Sequence, residues 1–166
     1  MTILFITPRL KVVEVDAEIT GDQRAQLLES VINTLTPTVV TALPHYFHGV
    51  NTLAAAEVWL ERMLAQSRLL LVKSVSGDVI GFLFIHVAPD NVAHIGYLLA
   101  QACWGQGLAT ELLKGFMMEA SKTPWSKLVG GVDQGNLASA NLLKKLGFVE
   151  QETDESGVIM FEYPLP

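Results

Sequence analysis

At 166 residues the chain matches the common size of one domain, and residues 1–166 are expected to fold around a single core. Half of the residues are hydrophobic and 17% are charged; the net charge of −6, with a pI near 5.1, sets the average surface against nucleic-acid phosphates. The lone Cys103 excludes an intramolecular disulfide framework and a multi-cysteine zinc site, and four scattered histidines lack zinc-ligand spacing, so no metal is expected.

The opening Ile3 to Ile6 is too short for an export signal, lacks a basic flank and runs into Thr7-Pro8-Arg9. Leu10 to Val15 reads as a first strand by its β-branched content. Thr20-Gly21-Asp22 supplies a turn and a helix cap, and Ala25, Leu28, Ile32 and Leu35 follow at helical spacing. Pro37 and Pro44 divide the next stretch into short pieces ending near His48-Gly49, because proline lacks the amide hydrogen a helix interior needs. Thr52 can cap a stronger helix whose stripe is Leu53, Ala56, Leu60, Met63 and Leu64. Three strands then follow, Leu69 to Val75, Val79 to Ala88 and Val92 to Leu99, separated by the turns Ser76-Gly77-Asp78 and Pro89-Asp90-Asn91. Val79 to Ala88, the longest nearly uncharged run, is broken by His86 and is too short to cross a bilayer, so neither a membrane nor a nucleic acid is expected as partner and the location is expected to be cytoplasmic. A helix from about Gln106 to Ala120, a strand around Leu128 to Val132, a helix from Leu137 to Leu146 and the strands Phe148 to Thr153 and Val158 to Tyr163 complete the chain. Strands gathered early and alternating with helices later describe a mixed α/β layer fold around one sheet. The apolar composition is compatible with a homodimer.

The sharpest local feature is Leu98-Leu99-Ala100-Gln101-Ala102-Cys103-Trp104-Gly105-Gln106-Gly107-Leu108-Ala109-Thr110, where a strand ends and an amphipathic helix begins within a few residues. The first amides of a helix have no intrahelical acceptor and carry partial positive charge, so an entry built from small residues admits phosphate oxygens. With an acidic surface around it, a phosphate-bearing ligand must be held mainly by such backbone groups. Gly105 and Gly107 also suit a plain turn. A dinucleotide fold would place its glycines after an early parallel strand, whereas the strands here read antiparallel, and no Gly-Lys-Ser or Gly-Lys-Thr follows as a P-loop requires.

These residues resemble the GNAT superfamily of acyl-CoA-dependent N-acyltransferases, and within it the branch that acetylates ribosomal-protein amino termini. Thr7-Pro8-Arg9-Leu10 is similar to the opening of that branch, Ala56-Glu57-Val58-Trp59-Leu60 to its second helical region, and Ile95-Gly96-Tyr97-Leu98-Leu99 with Trp104-Gly105-Gln106-Gly107-Leu108-Ala109-Thr110 to its coenzyme A motif. The resemblance implies an α+β fold: one mixed, mostly antiparallel sheet of about six to seven strands with helices on both faces. It also implies an acetyl-CoA-dependent acetyltransferase. The backbone of Gly105, Gln106, Gly107, Leu108, Ala109 and Thr110 would carry the phosphates, and the exposed strand backbone of Tyr97, Leu98 and Leu99 would pair with the pantetheine arm by strand addition.

Asn136-Leu137-Ala138-Ser139, running on to Lys144-Lys145-Leu146-Gly147-Phe148, is similar to a second family segment, whose Asn reaches the pantetheine and whose Ser lies near the sulfur. The same residues also make an ordinary helix: Asn136 caps it, the lysines suit its negative end and Gly147 stops it. Many members carry a tyrosine as acid where this chain has Leu143, which leaves Ser139 as the candidate donor to the departing thiolate. Many carry glutamate where this chain has His94. If Pro89, Asp90 and Asn91 form a three-residue loop, His86 and His94 face each other across two strands, and His94 is the candidate base, since an imidazole accepts a proton at cellular pH. An ordinary cross-strand polar pair fits equally well. Glu57 is a candidate ammonium ligand or a solvated helix residue. His45 and His48 belong to the acceptor-facing region or to the surface, and Cys103 has no evident base.

The expected activity is transfer of an acetyl group from acetyl-CoA to a primary amine, either a protein N-terminus or a small molecule, by direct attack in a ternary complex. A backbone amide near Leu99 would stabilise the oxyanion. The alternative is an acyl-CoA-sensing module without turnover, suggested by the missing tyrosine and glutamate.

Overall fold

The computed structural model describes residues 1–166. Eight strands form one sheet in the order β1-β2-β3-β4-β5-β6-β8-β7: β1 Thr2–Ile6, β2 Leu10–Glu14, β3 Arg68–Ser74, β4 Val79–Val87, β5 Val92–Leu99, β6 Lys127–Asp133, β7 Val149–Thr153 and β8 Val158–Pro164. Only β5 and β6 run parallel; every other neighbouring pair is antiparallel. The helices are α1 Gly21–Thr34, α2 Leu53–Gln66, α3 Leu108–Ala120 and α4 Leu137–Lys145. The mixed α/β sheet matches the expected architecture, with eight strands rather than six or seven. One additional strand is β1, which pairs with β2 at the sheet edge.

Strand alternation assigns the two faces. From β3, Leu70 and Val72 enter one core, while Leu69 and Leu71 enter the other. The first core is closed by Leu112, Leu113 and Phe116 of α3 and by Ala140 and Leu143 of α4; the second by Leu27 and Val31 of α1 and by Ala56, Trp59 and Leu60 of α2. Helices thus cover both faces. On α1 the buried residues are Leu27, Val31 and Thr34; of the expected stripe, Leu35 is buried just past the helix end, Leu28 and Ile32 are partly buried against the same core, and Ala25 is exposed. On α2, Trp59 replaces the expected Leu53, which is 57% exposed. Thr52 caps α2 as expected, its hydroxyl accepting the Ala55 amide at 3.1 Å.

Between α1 and α2 the two prolines leave a largely irregular segment with one short 3₁₀ turn, His45–Phe47. Phe47 packs edge-on against Trp59 and Phe84, which holds this segment over the α1/α2 face of the sheet. Helix α3 begins at Leu108, not Gln106, because Gly107 takes a left-handed conformation, φ 75°, at its entrance.

Candidate active site

Pairing between β5 and β6 stops at Ile95 and Gly130, although β5 continues to Leu99 and β6 to Asp133. Beyond that point the strands diverge, and backbone direction decides which groups are left open. The Ala100 amide donates to Ile80 of β4, so even-numbered residues of β5 turn their amides and carbonyls to β4, and odd-numbered ones turn to the gap. Tyr97 and Leu99 therefore face the opening, whereas the backbone of Leu98 is engaged with β4. The Leu99 carbonyl is also engaged, accepting the Trp104 indole N–H at 2.8 Å. The groups still open are the Tyr97 amide and carbonyl and the Leu99 amide.

The glycine turn stands at one end of this gap. Gly105 (φ 74°) and Gly107 (φ 75°) are both left-handed, and no atom lies within 4 Å of where a Gly105 Cβ would stand. The first helical amides, those of Leu108, Ala109 and Thr110, precede the first intrahelical bond, from the Glu111 amide to Gly107. Gly105, Gly107, Leu108, Ala109 and Thr110 line a cavity of about 560 Å³ together with Tyr97, Leu98, Leu99, Asn136 and Ser139. Gln106 does not line it; its side chain turns back to the Ala102 carbonyl at 2.9 Å. Asn136 caps α4, accepting the Ser139 amide at 3.3 Å, while also lining the cavity, so the two roles coexist. Cys103 is half-buried on the same wall.

One arm of this entrance is invisible in the local sequence. The turn joining β1 to β2 reaches α3, where Arg9 donates to Glu111 at 2.8 Å and to the Gln106 carbonyl at 2.9 Å, and the Thr7 hydroxyl donates to Glu111 at 2.5 Å. Burial alone would raise the Glu111 carboxyl, but the bonds from Thr7 and Arg9 outweigh it and hold the group below the usual carboxylate range. Arg9 thus neutralises a carboxylate that would otherwise oppose an anion at the helix entrance.

A model of the acetyltransferase (GNAT) domain matches residues 23–149. The chain belongs to the GNAT acetyltransferase family. No curated protein matches it in sequence. Among solved structures, this GNAT domain is similar to RimL, a ribosomal α-N-protein acetyltransferase in complex with coenzyme A, at 16% identity over 98% of both chains with a TM-score of 0.79. It is also similar to the microcin self-immunity acetyltransferase MccE in complex with acetyl-CoA and AMP, at 14% identity over 96% of this chain and 94% of that one, TM-score 0.74. The phosphinothricin acetyltransferase of Sinorhizobium meliloti in complex with acetyl-CoA shares 15% identity over 94% and 88% of the two chains, TM-score 0.69.

A second cavity of about 500 Å³ opens on the α1/α2 side of this GNAT domain, and the two share Ala42, Leu43, Tyr97, Leu98, Asn136 and Ser139. At the junction the Tyr97 phenol donates to Ser139 Oγ at 3.2 Å. Burial pushes that phenol above its ordinary range, with the Ser139 bond pulling part of the way back, so it remains a protonated donor at neutral pH. Leu143, which also lines this cavity, is buried. Residues 89–91 do form a three-residue loop, and His86 pairs with His94 across β4 and β5, ring centroids 6.3 Å apart; both line the second cavity. Tyr46 and Phe47 roof that cavity, whereas His45 and His48 do not line it. Glu57 lines neither cavity and is held by the Arg24 guanidinium, which lowers its carboxyl, so it is not placed to bind an ammonium.

Proposed function

We propose that this domain moves an acetyl group from acetyl-CoA to a primary amine by direct attack in a ternary complex. The observation carrying this reading is the early end of the β5–β6 pairing: it opens a strand edge between the glycine entrance of α3 and a second cavity lined by His94. Orphan amides of Leu108 to Thr110, the left-handed Gly105 and Gly107, and Arg9 behind them fit the diphosphate. The open groups of Tyr97 and Leu99 fit the pantetheine amides, and Asn136 stands beside them.

In this arrangement acetyl-CoA supplies the activated acyl group, and the chain's own residues supply position and proton transfer. His94 accepts the proton that the arriving ammonium must lose, with His86 as electrostatic neighbour. The Leu99 amide faces the gap and is available to the oxyanion. Ser139 donates a hydrogen bond to the departing sulfur, and the Tyr97 phenol fixes its orientation. This pair stands where the Leu143 side chain offers no donor.

The test has two stages. Calorimetry should show coenzyme A binding to the folded protein, and acetyl-CoA with a panel of amines should release thiol above background. His94→Ala should lower kcat by about 10²–10⁴ and remove the acidic limb of its pH profile. Binding without turnover on any amine would instead favour a sensing module, and no binding would refute both.

A further inference from the structure

The charge inventory of the second cavity selects its acceptor. Of its 22 lining residues none is lysine or arginine, and the only carboxylate is Asp133; half are hydrophobic, among them Phe47 and Phe84. Arg62 approaches no closer than the back of the roof, stacked 3.9 Å from the Tyr46 ring centroid, and does not line the cavity. Asp133 ends β6. Leu128 and Val132 of that strand enter the core under α3 and α4, so Asp133, one residue on, turns to the α1/α2 side with His86 and His94.

Two features leave the Asp133 charge uncompensated. Its Oδ1 accepts the Gly135 amide at 2.8 Å, Oδ2 has no partner, and the residue enters none of the ion pairs of the molecule. At the entrance of α4, Asn136 takes the Ser139 amide, and Leu137 and Ala138, whose amides precede the first intrahelical bond, do not line this cavity. A ligand ammonium would find a carboxylate here, and a ligand carboxylate would find no lysine or arginine. A carboxylate entering this apolar cavity gives up water that no lysine or arginine of the lining replaces, whereas Asp133, itself exposed to solvent at the end of β6, offers an ammonium a counter-ion.

We infer that the acceptor is a compact, apolar primary amine without a carboxylate beside its nitrogen, drawn into the cavity as the ammonium by Asp133, which stands four residues along β6 from Val129, the partner of His94. The volume lies in the small-molecule range of about 300–1,000 Å³. Asp133 is a binding residue here, since its role is to hold the cation before proton removal. The inference rests on the acetyl-transfer reading above.

Three probes share one ring and one amine: 2-phenylethylamine, phenylalaninamide and phenylalanine. With acetyl-CoA and the full chain, kcat/KM for the first two should exceed that for phenylalanine at least ten-fold. Asp133→Asn, which keeps an oxygen for the Gly135 amide, should raise KM for 2-phenylethylamine about five- to twenty-fold with a smaller change in kcat, and a melting curve should confirm that it folds. Phenylalanine equal to or better than the amines, or an unchanged KM in Asp133→Asn, overturns the inference while leaving acetyl transfer intact. A tetrapeptide amide preferred ten-fold over all three overturns the small-molecule assignment. Absence of any acetyl transfer, with no coenzyme A binding by calorimetry, overturns the parent reading and this one together.

Discussion

Gly115, in the middle of α3, lies where the helix presses on β1, and replacing it by alanine separates two effects of opposite sign. In an open helix the change gains about 0.5–1 kcal/mol, because glycine loses more backbone entropy on folding. Here a Cβ would stand 2.8 Å from Phe5 Cε2 and 2.8 Å from Thr7 Cγ2, closer than such atoms approach. Phe5 is 7% exposed and cannot swing away. Overpacking of this kind costs roughly 1–3 kcal/mol, so the net expectation is a loss of up to about 2.5 kcal/mol. For a domain of this length that lowers Tm by up to about 10 °C. The same push displaces Thr7, which holds Glu111 beside the phosphate entrance, so coenzyme A affinity should fall about three- to ten-fold. Scanning calorimetry reads the first effect and titration calorimetry the second. Phe5→Leu in the same background should recover part of the loss, with a coupling of about 0.5 kcal/mol or more. A higher Tm for Gly115→Ala would refute the reasoning, since it would mean that β1 yields freely and propensity alone decides.

Two further predictions concern the same entrance. Gly105→Ala places its Cβ in open space, so any loss reports the left-handed backbone alone; about 1–2 kcal/mol should disappear from the urea-derived stability, and Gly105→Asn should keep part of it. Glu111 has a native pKa held below its unfolded value of 4.5, so its contribution is fully present above that value and is lost as pH falls through the depressed native one. Wild type should therefore exceed Glu111→Gln in urea stability at neutral pH, with the gap closing as the pH falls below 4.5 through the depressed native value; a gap of constant size would show that the bonds from Thr7 and Arg9 do not depend on the charge.

The sheet was legible wherever turn chemistry brackets a β-branched run. Ser76-Gly77-Asp78 and Pro89-Asp90-Asn91 flank β4, and the three strands around them lie within a residue or so of their expected bounds. Asn91 takes φ 63°, the left-handed conformation that asparagine tolerates. β1 lacked such punctuation: Thr2–Ile6 is a short apolar run at the chain start, and only its pairing with β2 makes it a strand. The centre of the α1 stripe is ambiguous in the sequence for a related reason. Leu27 and Leu28 are adjacent, as are Val31 and Ile32, so periodicity supports two faces and only packing against the sheet selects Leu27 and Val31.

The site divides along the same physical line, between local and distant contacts. The glycine turn is a local device: left-handed residues, a helix entrance and a preceding strand all lie within a dozen positions, so the residue types admit an anion as well as a plain turn, and the family resemblance favours the anion. What tunes the turn comes from far away. Arg9 meets Gln106 and Glu111 across 97 and 102 positions, and the phenol of Tyr97 reaches Ser139 across 42. The family resemblance implies a role for the Tyr97 backbone and none for its side chain. Asp133 was likewise silent as one acid among 17 acidic residues, and its significance appears only once the fold shows that no lysine or arginine shares its cavity. The proposed coenzyme end is legible through the family resemblance because it rests on backbone geometry; the proposed acceptor end rests on which side chains the fold gathers under residues 42–47, and a motif carries no record of the cations that are missing there.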